Sequence, residues 1–475
     1  MYEHRYQILA TLSATVSEVS DGMQYGWSAP ITPKLMSPNS PVEFKESQIV
    51  WVETSLLLGT MVGIPITIFL LENFGRRNSI LAATVQNLLA WILIAFSNSV
   101  GVVYAARFIS GISASVVFAA APVYAAEIAH KNIRGFLGSF FSMMMMGGIL
   151  MVYCVAPFVS IPASSAVGAF FLIVQLLTFP FMPESPYYHL ITGNKDKARR
   201  SLQRLRATID VEEELEELSE AVSRQESEKQ GFSDLITVKS NRQALLIMLV
   251  LNCAQHLCGI SVMLMNLHSI LKDAASVMLP STVAILFSVI MWIAALVGSY
   301  SIDRYGRKIT LIISCILTGI ALLGLAIYFT VQSEGIDVSK CNWIPVVLVL
   351  IYAGAFRFGL GLIPIILTAE LFPTNVKSAG VTISEAFFTT FSCITVFSYP
   401  FLTKAFGLKM PFFTFSICCF LTCIFVIFCI PETKGKSLEE IQHILRNGRN
   451  SYKSFGSYGS ITSINSEISR QRHWS

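Results

Sequence analysis

The chain has 475 residues, of which 53% are hydrophobic and only 13% are charged. Soluble globular proteins carry about a quarter charged residues, so this composition excludes a fold that is mainly solvated by water and indicates a membrane protein. The net charge of +4 is small for this length and does not imply nucleic-acid binding, because attraction to a membrane surface accounts for it.

Long apolar blocks follow one another along the chain, and several approach the roughly 20 residues that cross a bilayer as a helix. Backbone in contact with lipid must form its own hydrogen bonds, so each block is predicted to be helical. The first block contains Glu18 and Asp21 and lacks a small-residue cleavage site before them, so we interpret it as a span rather than a signal peptide. The predicted spans lie near residues 8–29, 50–71, 79–97, 101–126, 135–158, 163–181, 243–268, 281–302, 309–330, 343–369, 379–402 and 411–430.

Most Lys and Arg residues fall in the segments that share one side of this bundle with the two ends of the chain. The positive-inside rule therefore predicts that both termini are cytosolic, although two Lys in residues 403–410 oppose it. Of the ten Cys, only Cys341 lies clearly outside a predicted span. No disulfide framework is therefore predicted.

The two halves of the sequence share a repeated pattern. After the second span the chain reads ENFGRR at residues 72–77, and after the eighth it reads DRYGRK at residues 303–308. Glu127 precedes Arg134 by seven residues after the fourth span, and Glu370 precedes Lys377 by the same interval after the tenth. Such self-similarity predicts a duplicated architecture.

A third landmark completes the repeat, since PES at 183–185 follows the sixth span and PET at 431–433 follows the twelfth. The sequence thus predicts an all-α polytopic protein of twelve transmembrane helices in two six-helix halves. We place the first half at 1–183, a linker at 184–242, the second half at 243–432 and a cytosolic tail at 433–475, which we expect to be disordered.

The linker is the one long polar stretch within the chain. The helical spacing of Leu202, Leu205, Leu215 and Leu218 predicts short amphipathic cytosolic helices. We favour a solvated helical linker, and docking beneath the bundle as part of a gate is the alternative.

Seven motifs in chain order resemble the sugar porter branch of the major facilitator superfamily, whose halves are related by an axis along the membrane normal. They are NFGRRNS at 73–79, RFISG at 107–111, the 122–135 segment from PVY through Glu127 to RG, PESP at 183–186, DRYGRK at 303–308, ELFP at 370–373 and PETKG at 431–435. GWSAP at 26–30 is similar, more narrowly, to the first span of insect hexose and facilitated trehalose transporters.

The resemblance implies a gate of charged side chains at the cytosolic ends of the helices. Ion pairs across the seam between the halves would close the inside while the site faces out, and partly buried pairs are harder to break than exposed ones. The implied gating residues are Glu72, Arg76, Arg77, Glu127, Arg134, Glu184, Asp303, Arg304, Arg307, Glu370, Lys377 and Glu432.

The resemblance also implies a sugar site, in which amides and hydroxyls surround the ring and an aromatic or apolar surface covers one face. Sugar porters supply two adjacent glutamines and an asparagine from the seventh span. Here Gln255 is retained, and His256 and Ser261 replace the other two. The remaining positions that the resemblance assigns to substrate are Ser142, Met291, Ile365 and Phe388.

Charges inside predicted spans are costly and point to function. Besides Glu18 and Asp21, they include Arg357 in the tenth span and Glu385 in the eleventh. We expect Arg357 to pair with Glu385 or Asp21 across the cavity. His256 is interpreted as a hydrogen-bonding side chain rather than a proton relay.

These observations predict a plasma-membrane carrier of a hexose, trehalose or related polyol that works by alternating access. Ser28 occupies the position of the acidic residue in proton-coupled sugar porters, which favours facilitated diffusion, while Asp21 leaves coupling open. The alternatives are a non-transporting membrane sensor and an organic-anion carrier that uses Arg357. No nucleophile–base pair, metal-ligand spacing or phosphate-cradling loop suggests an enzyme or a cofactor.

Overall fold

The structure is a computed structural model that describes residues 5–447, except residues 39, 41, 43, 131–132, 228–232, 272–277, 337, 374–375 and 437. All the regular secondary structure of the described residues is helical. In the first half the helices are α1 (Arg5–Gly26), α2 (Ser28–Leu35), α3 (Glu46–Ala95), α4 (Val100–Ile128), α5 (Arg134–Val155) and α6 (Ile161–Thr178). The linker contains α7 (Pro186–Ile191), α8 (Lys195–Arg206), α9 (Glu212–Ser227) and α10 (Asp234–Thr237).

The second half repeats the arrangement of the first. Its helices are α11 (Lys239–Leu257), α12 (Ile260–Ile270), α13 (Pro280–Tyr305), α14 (Arg307–Ser333), α15 (Trp343–Phe358), α16 (Ile363–Leu371), α17 (Lys377–Phe406), α18 (Lys409–Cys429) and α19 (Leu438–Asn447).

Ten helical segments of the described chain are long and apolar enough to cross a membrane. One of them, in α3, contains two of the predicted spans and changes direction at Gly75, where φ is +83°. The polar helix α1 supplies the remaining span. The predicted twelve-helix, all-α fold is therefore confirmed, and the observed helices overlap every predicted span.

Contacts between the halves are paired as duplication requires. The second span, in α3, packs against the eleventh, α17, and the fifth, α5, packs against the eighth, α13. Exchanging the halves converts one contact into the other. One end of the bundle carries Gly75, Gly306 and the linker helices, and we call it the linker end. The opposite end, which carries α2, is called the far end.

Small residues let the helices of the first half approach closely, as is common in membranes. A Cβ atom on Gly22 or Gly148 would overlap a backbone carbonyl of the facing helix at the contact between α1 and α5. Gly59 of α3 and Gly111 of α4 face backbone carbonyls of each other's helices in the same way. These glycines are required by close packing, since the backbones leave no room for a side chain.

Two expectations about the polar segments need correction. Helix α8 does not lie free in solvent: Gln7 donates to the carbonyl of Leu205 at 3.5 Å, and Arg206 donates to that of Ile128 at 3.0 Å. Within the tail that we expected to be disordered, α19 packs against α11 and α16 and buries Ile441 and Leu445. Both helices dock because they present an apolar face to the bundle. Residues after 447 lie outside the described chain.

Candidate functional site

Two membrane-spanning helices are interrupted near the middle of the molecule. The seventh span breaks between α11 and α12 at Gly259, where φ is +87° and a Cβ atom would lie 2.7 Å from the Phe415 ring. The tenth breaks between α15 and α16, at residues 359–362. In the first span, α1 and α2 meet at Trp27, whose backbone angles are themselves helical. A broken helix releases backbone carbonyls at membrane depth, and such breaks are where transporters build binding sites.

The break in the tenth span is held by side chains of its neighbours. Gln255 donates to the carbonyl of Leu360 at 2.9 Å, and the hydroxyl of Ser314 accepts from the Leu360 N–H at 2.8 Å. In return, Tyr352 of the tenth span donates to the carbonyl of Cys258 at the break in the seventh, at 3.0 Å. The predicted site residue Gln255 therefore lies at the break, with its amide bonded to backbone.

A polar cluster joins the two halves beside the break in the seventh span. The Ser261 hydroxyl lies 2.9 Å from His256 Nδ1, 3.0 Å from the Tyr25 hydroxyl and 3.0 Å from the Ser392 hydroxyl. We call these four residues the hydroxyl cluster. The Phe388 ring packs against the His256 ring with 4.2 Å between centroids.

Two of the four cluster residues, His256 and Ser261, were predicted from the sequence, as was Phe388. Tyr25 and Ser392 were missed. Tyr25 directly precedes the GWSAP motif and belongs to the first half, while Ser392 is one of several hydroxyl residues on α17. Neither position has a signal of its own, because only the packing of α1 and α17 against α12 brings them to Ser261.

His256 is fully buried and bonds through one ring nitrogen. Its Nε2 atom has no hydrogen-bond partner among the described residues. An unpaired polar atom at such a place costs free energy unless a ligand or water satisfies it. The cluster therefore has an unused acceptor or donor beside an aromatic ring.

The other predicted substrate residues do not join the cluster. Met291 is buried, whereas Ile365 is 50% exposed. Ser142 is partly buried and forms no side-chain hydrogen bond to the described residues. The structure thus brings Gln255, His256, Ser261 and Phe388 together and leaves these three outside the hydroxyl cluster.

The buried charges of the first half form a network that the sequence did not predict. Asp21 accepts from Asn87 at 2.7 Å, and Asn87 lies 3.5 Å from Gln24. Arg107 of α4 is fully buried and donates to the Gln24 carbonyl at 2.6 Å and to its side chain at 2.8 Å. Arg107 also lies over the Trp27 ring, with 5.3 Å to its centroid. The RFISG motif contains Arg107, but its role depends on partners far along the chain.

The expected pairing of Arg357 is not formed. Within the described part of the chain, no ion pair joins Arg357 to Glu385 or Asp21. Arg357 instead donates to the carbonyl of Gly361 at 2.9 Å, across the break in its own span. Asp21 is occupied by Asn87 on the first half. The buried guanidinium therefore stabilises a backbone carbonyl that the break leaves without a helical partner.

At the far end, the halves are connected through polar and aromatic contacts. Tyr153 of α5 donates to the carbonyl of Leu264 at 2.6 Å, and Asn266 donates to Glu53 at 3.3 Å. The rings of Trp51 and Phe397 pack edge to face with 5.6 Å between centroids. Tyr25 and Ser261 add a further bond between halves. The far end is thus closed by contacts from α1, α3 and α5 to α12 and α17.

At the linker end, the charged motifs pair within each half. Arg76 bonds to Glu127 at 2.8 Å, and Arg307 bonds to Glu370 at the same distance. Ser185 and Thr433 then donate to Glu127 and Glu370 respectively. The ion pairs that we expect across the seam when the site faces out are not formed among the described side chains in this conformation, in which the far end is closed. The two networks are equivalent because the duplicated motifs fold identically.

The remaining gating residues form no ion pair with each other among the described side chains. Glu72 and Arg304 are exposed, and Arg77 donates to the Met182 carbonyl at 3.1 Å. Glu184 accepts from backbone N–H groups at the start of the third span, and Glu432 accepts from those at the start of the ninth. The side chains of Arg134, Asp303 and Lys377 lie outside the described residues.

Comparison with known proteins identifies relatives that match most of the chain. Residues 8–445 match the family model described as "Sugar (and other) transporter". The chain is 31% identical over 444 residues to the facilitated trehalose transporter Tret1 of Polypedilum vanderplanki, covering 92% of this chain and 87% of that protein. It is 29% identical over 445 residues to Tret1 of Bombyx mori, with 93% and 87% covered.

A solved structure supports the same architecture. The partially occluded inward open conformation of the xylose transporter XylE from E. coli superposes with a TM-score of 0.76 at 21% identity, covering 91% of this chain and 100% of the other. Likeness at this level of identity supports the fold.

Proposed function

The chain belongs to the sugar transporter family, and on this basis we propose that it carries a hexose, trehalose or a related polyol across a membrane by facilitated diffusion and alternating access. It acts without a cofactor and catalyses no chemical reaction. The relatives named as facilitated trehalose transporters support this class of substrate.

The observation that carries the proposal is the hydroxyl cluster at the junction of the halves. Each sugar hydroxyl both donates and accepts, and so do the Tyr25, Ser261 and Ser392 hydroxyls. The free His256 Nε2 offers a further polar contact, and Phe388 offers an apolar face. A sugar that entered between the halves would replace bonds that these groups now make to one another.

Alternating access is supported by the asymmetry of the contacts. The far end is closed by bonds between halves, such as that of Tyr153 to Leu264, while the ion pairs of the linker end lie within halves. Opening the far end would break these bonds between the halves. Closing the linker end would bring Glu127, Glu370 and their partners of the two halves together, as the gating prediction requires.

We further propose that the linker end is cytosolic and that the carrier lies in the plasma membrane, divided as predicted into halves at 1–183 and 243–432, a linker and a tail. The basic residues of the linker support this orientation. A tag after Ser475 should bind antibody only in permeabilised cells, and detection in intact cells would reverse the orientation.

Uptake of radiolabelled glucose, trehalose and an organic anion by oocytes tests the function. Saturable sugar uptake is expected, and Ser261→Ala should raise KM by about 3- to 10-fold, the effect of one hydrogen bond. Ser398→Ala is the control, because this hydroxyl of α17 bonds to Thr395 of its own helix.

Other outcomes would replace the proposal. If the protein reaches the cell surface in normal amounts and takes up none of the solutes, a sensor is favoured. Anion uptake that Arg357→Gln abolishes would favour an anion carrier. Equal changes of KM in Ser261→Ala and Ser398→Ala would show that the hydroxyl cluster is not part of the sugar site.

A further inference from the structure

An open concavity of about 670 Å³ lies at the linker end, between the turn at Gly75 and helix α8. Four cationic side chains line it, from Arg77, Lys197, Arg200 and Arg204. Glu184 is the one acidic residue of this lining, and its oxygens accept hydrogen bonds from the backbone N–H groups of Arg76, Arg77 and Ser185. The concavity is therefore strongly positive.

Helix α8 divides its cations between two faces. Arg199 pairs with Glu212 at 2.9 Å, and Arg206 pairs with Glu214 at 2.7 Å, so the face towards α9 is neutralised. Lys197, Arg200 and Arg204 have the spacing of one helical face, and this face lines the concavity. Within the described part of the chain, none of these three forms an ion pair.

The unpaired cations repel one another. Like charges three or four residues apart destabilise a helix by a few tenths of a kcal/mol per pair. Burial lowers the pKa of His189, which also lines the concavity, and although Glu184 opposes this, Lys197 and Arg77 lower that pKa further. The mutual repulsion of the cations and their effect on His189 indicate a positive potential that a bound anion would relieve.

We propose that this concavity binds a phosphate group, carried by the headgroup of an anionic membrane lipid or free in solution. Guanidinium groups bind phosphate oxygens in a bidentate manner, and Arg77, Arg200 and Arg204 supply three of them. Phe74 lines the concavity and is 51% exposed. Ile209, which is 89% exposed, lines the neighbouring surface together with Arg200 and Arg204. Cations interleaved with exposed apolar groups are typical of a surface that meets a membrane.

Binding would connect two parts of the molecule. Arg77 belongs to α3, while Lys197, Arg200 and Arg204 belong to the linker. Tyr188 already donates to the Asn73 carbonyl at 2.9 Å beside the concavity. A phosphate group held from both sides ties α8 to the turn between the second and third spans and stabilises the folded protein.

The test uses the full chain in three samples. The first is in nanodiscs of phosphatidylcholine alone, and the second is in nanodiscs that also contain a minor fraction of phosphatidylinositol phosphate. The third is in phosphatidylcholine nanodiscs with inorganic phosphate added to the solution. The thermal unfolding midpoint is measured at low and high salt. We expect a rise of about 3 °C with the lipid, reduced at high salt because the contacts are exposed.

The variant Lys197→Gln/Arg200→Gln/Arg204→Gln should lose the rise. The matched control Lys195→Gln/Lys239→Gln/Arg242→Gln loses the same charge outside the concavity and should keep it. If the first variant is unstable in phosphatidylcholine alone, Arg200→Gln is compared with Arg200→Lys, which restores a charge.

Comparing the lipid and inorganic-phosphate samples distinguishes a lipid headgroup from a free anion. A rise with lipid only supports a headgroup, and a rise with inorganic phosphate that the triple variant lacks supports a free anion. No rise in the wild-type protein, or an equal rise in the triple variant, overturns the proposal. The readout is stability, so it stands apart from the transported solute.

Discussion

Glu184 and Glu432 occupy equivalent positions after the sixth and twelfth spans. Their carboxylates hold the starts of the third and ninth spans respectively. Glu184 accepts from the N–H groups of Arg76 and Arg77 at 3.0 and 3.1 Å. Glu432 accepts from those of Arg307 and Lys308 at 3.0 and 2.9 Å. An acidic group at a helix N-terminus satisfies free N–H groups and complements the helix dipole.

Glycine precedes each of these helices because the carboxylate leaves no space for a side chain. At Gly306, φ is +93° and a Cβ atom would lie 2.6 Å from Glu432 Oε2. Gly407 has nearly the same backbone angles but no atom within 4 Å of its Cβ position. Alanine at either site incurs about 1–3 kcal/mol of backbone strain.

We expect Gly306→Ala to be destabilising by about 2 kcal/mol more than Gly407→Ala, since it also disturbs charged hydrogen bonds. Thermal unfolding of the purified variants measures the difference. Equal losses would show that Glu432 does not stabilise the turn.

Protonation of Glu432 at acidic pH should lower the stability of the second half. Burial raises the pKa of Glu432, but the N–H groups of Lys434, Lys308, Arg307 and Thr433 outweigh burial and hold it below its ordinary 4.5. A carboxylate with a lowered pKa stabilises the fold above its unfolded pKa, and this contribution is lost as pH falls through the folded pKa.

The unfolding midpoint of the wild-type protein should therefore fall more steeply below about pH 4.5 than that of Glu432→Gln. Glu72→Gln, which removes an exposed carboxylate at the same end, serves as the control and should follow the wild type. Parallel curves for wild type and Glu432→Gln would contradict the assignment.

Two pairs of opposite charges differ in whether they touch. Arg307 and Glu370 pair at 2.8 Å, whereas Arg357 donates to Gly361 and Glu385 is not its partner. A double-mutant cycle with Arg307→Met and Glu370→Gln should give a coupling energy of about 1–3 kcal/mol.

The same cycle with Arg357→Met and Glu385→Gln should give less than about 0.5 kcal/mol, because residues without a shared contact behave additively. Unfolding midpoints in one detergent provide both cycles. Strong coupling between Arg357 and Glu385 would mean that they pair in a conformation other than this one.

Two buried tyrosines allow the far-end contacts to be tested. Tyr153 donates to Leu264 across the halves at 2.6 Å, and Tyr124 donates to Pro183 within the first half at 2.7 Å. Replacement by phenylalanine removes one hydrogen bond of about 1 kcal/mol in each case. Only Tyr153→Phe shifts the balance towards opening of the far end.

Amide hydrogen exchange in α12 should increase by about fivefold in Tyr153→Phe and stay near the wild-type rate in Tyr124→Phe. Mass spectrometry of peptides from 260–270 measures it. Similar exchange in both variants would show that the Tyr153 bond does not hold the halves together.

Much of the fold could be predicted because the bilayer imposes simple rules on sequence. An apolar block of sufficient length must be helical, and duplicated motifs mark the helix ends. The spacing of Glu127 and Arg134 matched that of Glu370 and Lys377, and both acids do pair with the arginine of the glycine turn in their own half. Even the docking of α8 was among the alternatives, since Leu202 and Leu205 have helical spacing.

The site was less predictable, because motif positions specify which residues face inward but not which of them meet. His256 and Ser261 were identified through their places in the seventh span, while Tyr25, Ser392, Arg107 and Glu53 were not. Arg357 was assigned a charged partner, and its guanidinium bonds to a carbonyl that exists only because the tenth span is broken.

The sequence by itself determined the number, length and duplication of the helices, since these follow from hydrophobic length and repeated spacing. Only the tertiary structure decided the contacts between halves, such as Tyr25 with Ser261, which lie 236 residues apart. Such contacts depend on the rotation of each helix about its axis and on where Gly259 interrupts the seventh span, between α11 and α12. Both are set by packing among helices that are distant in the chain.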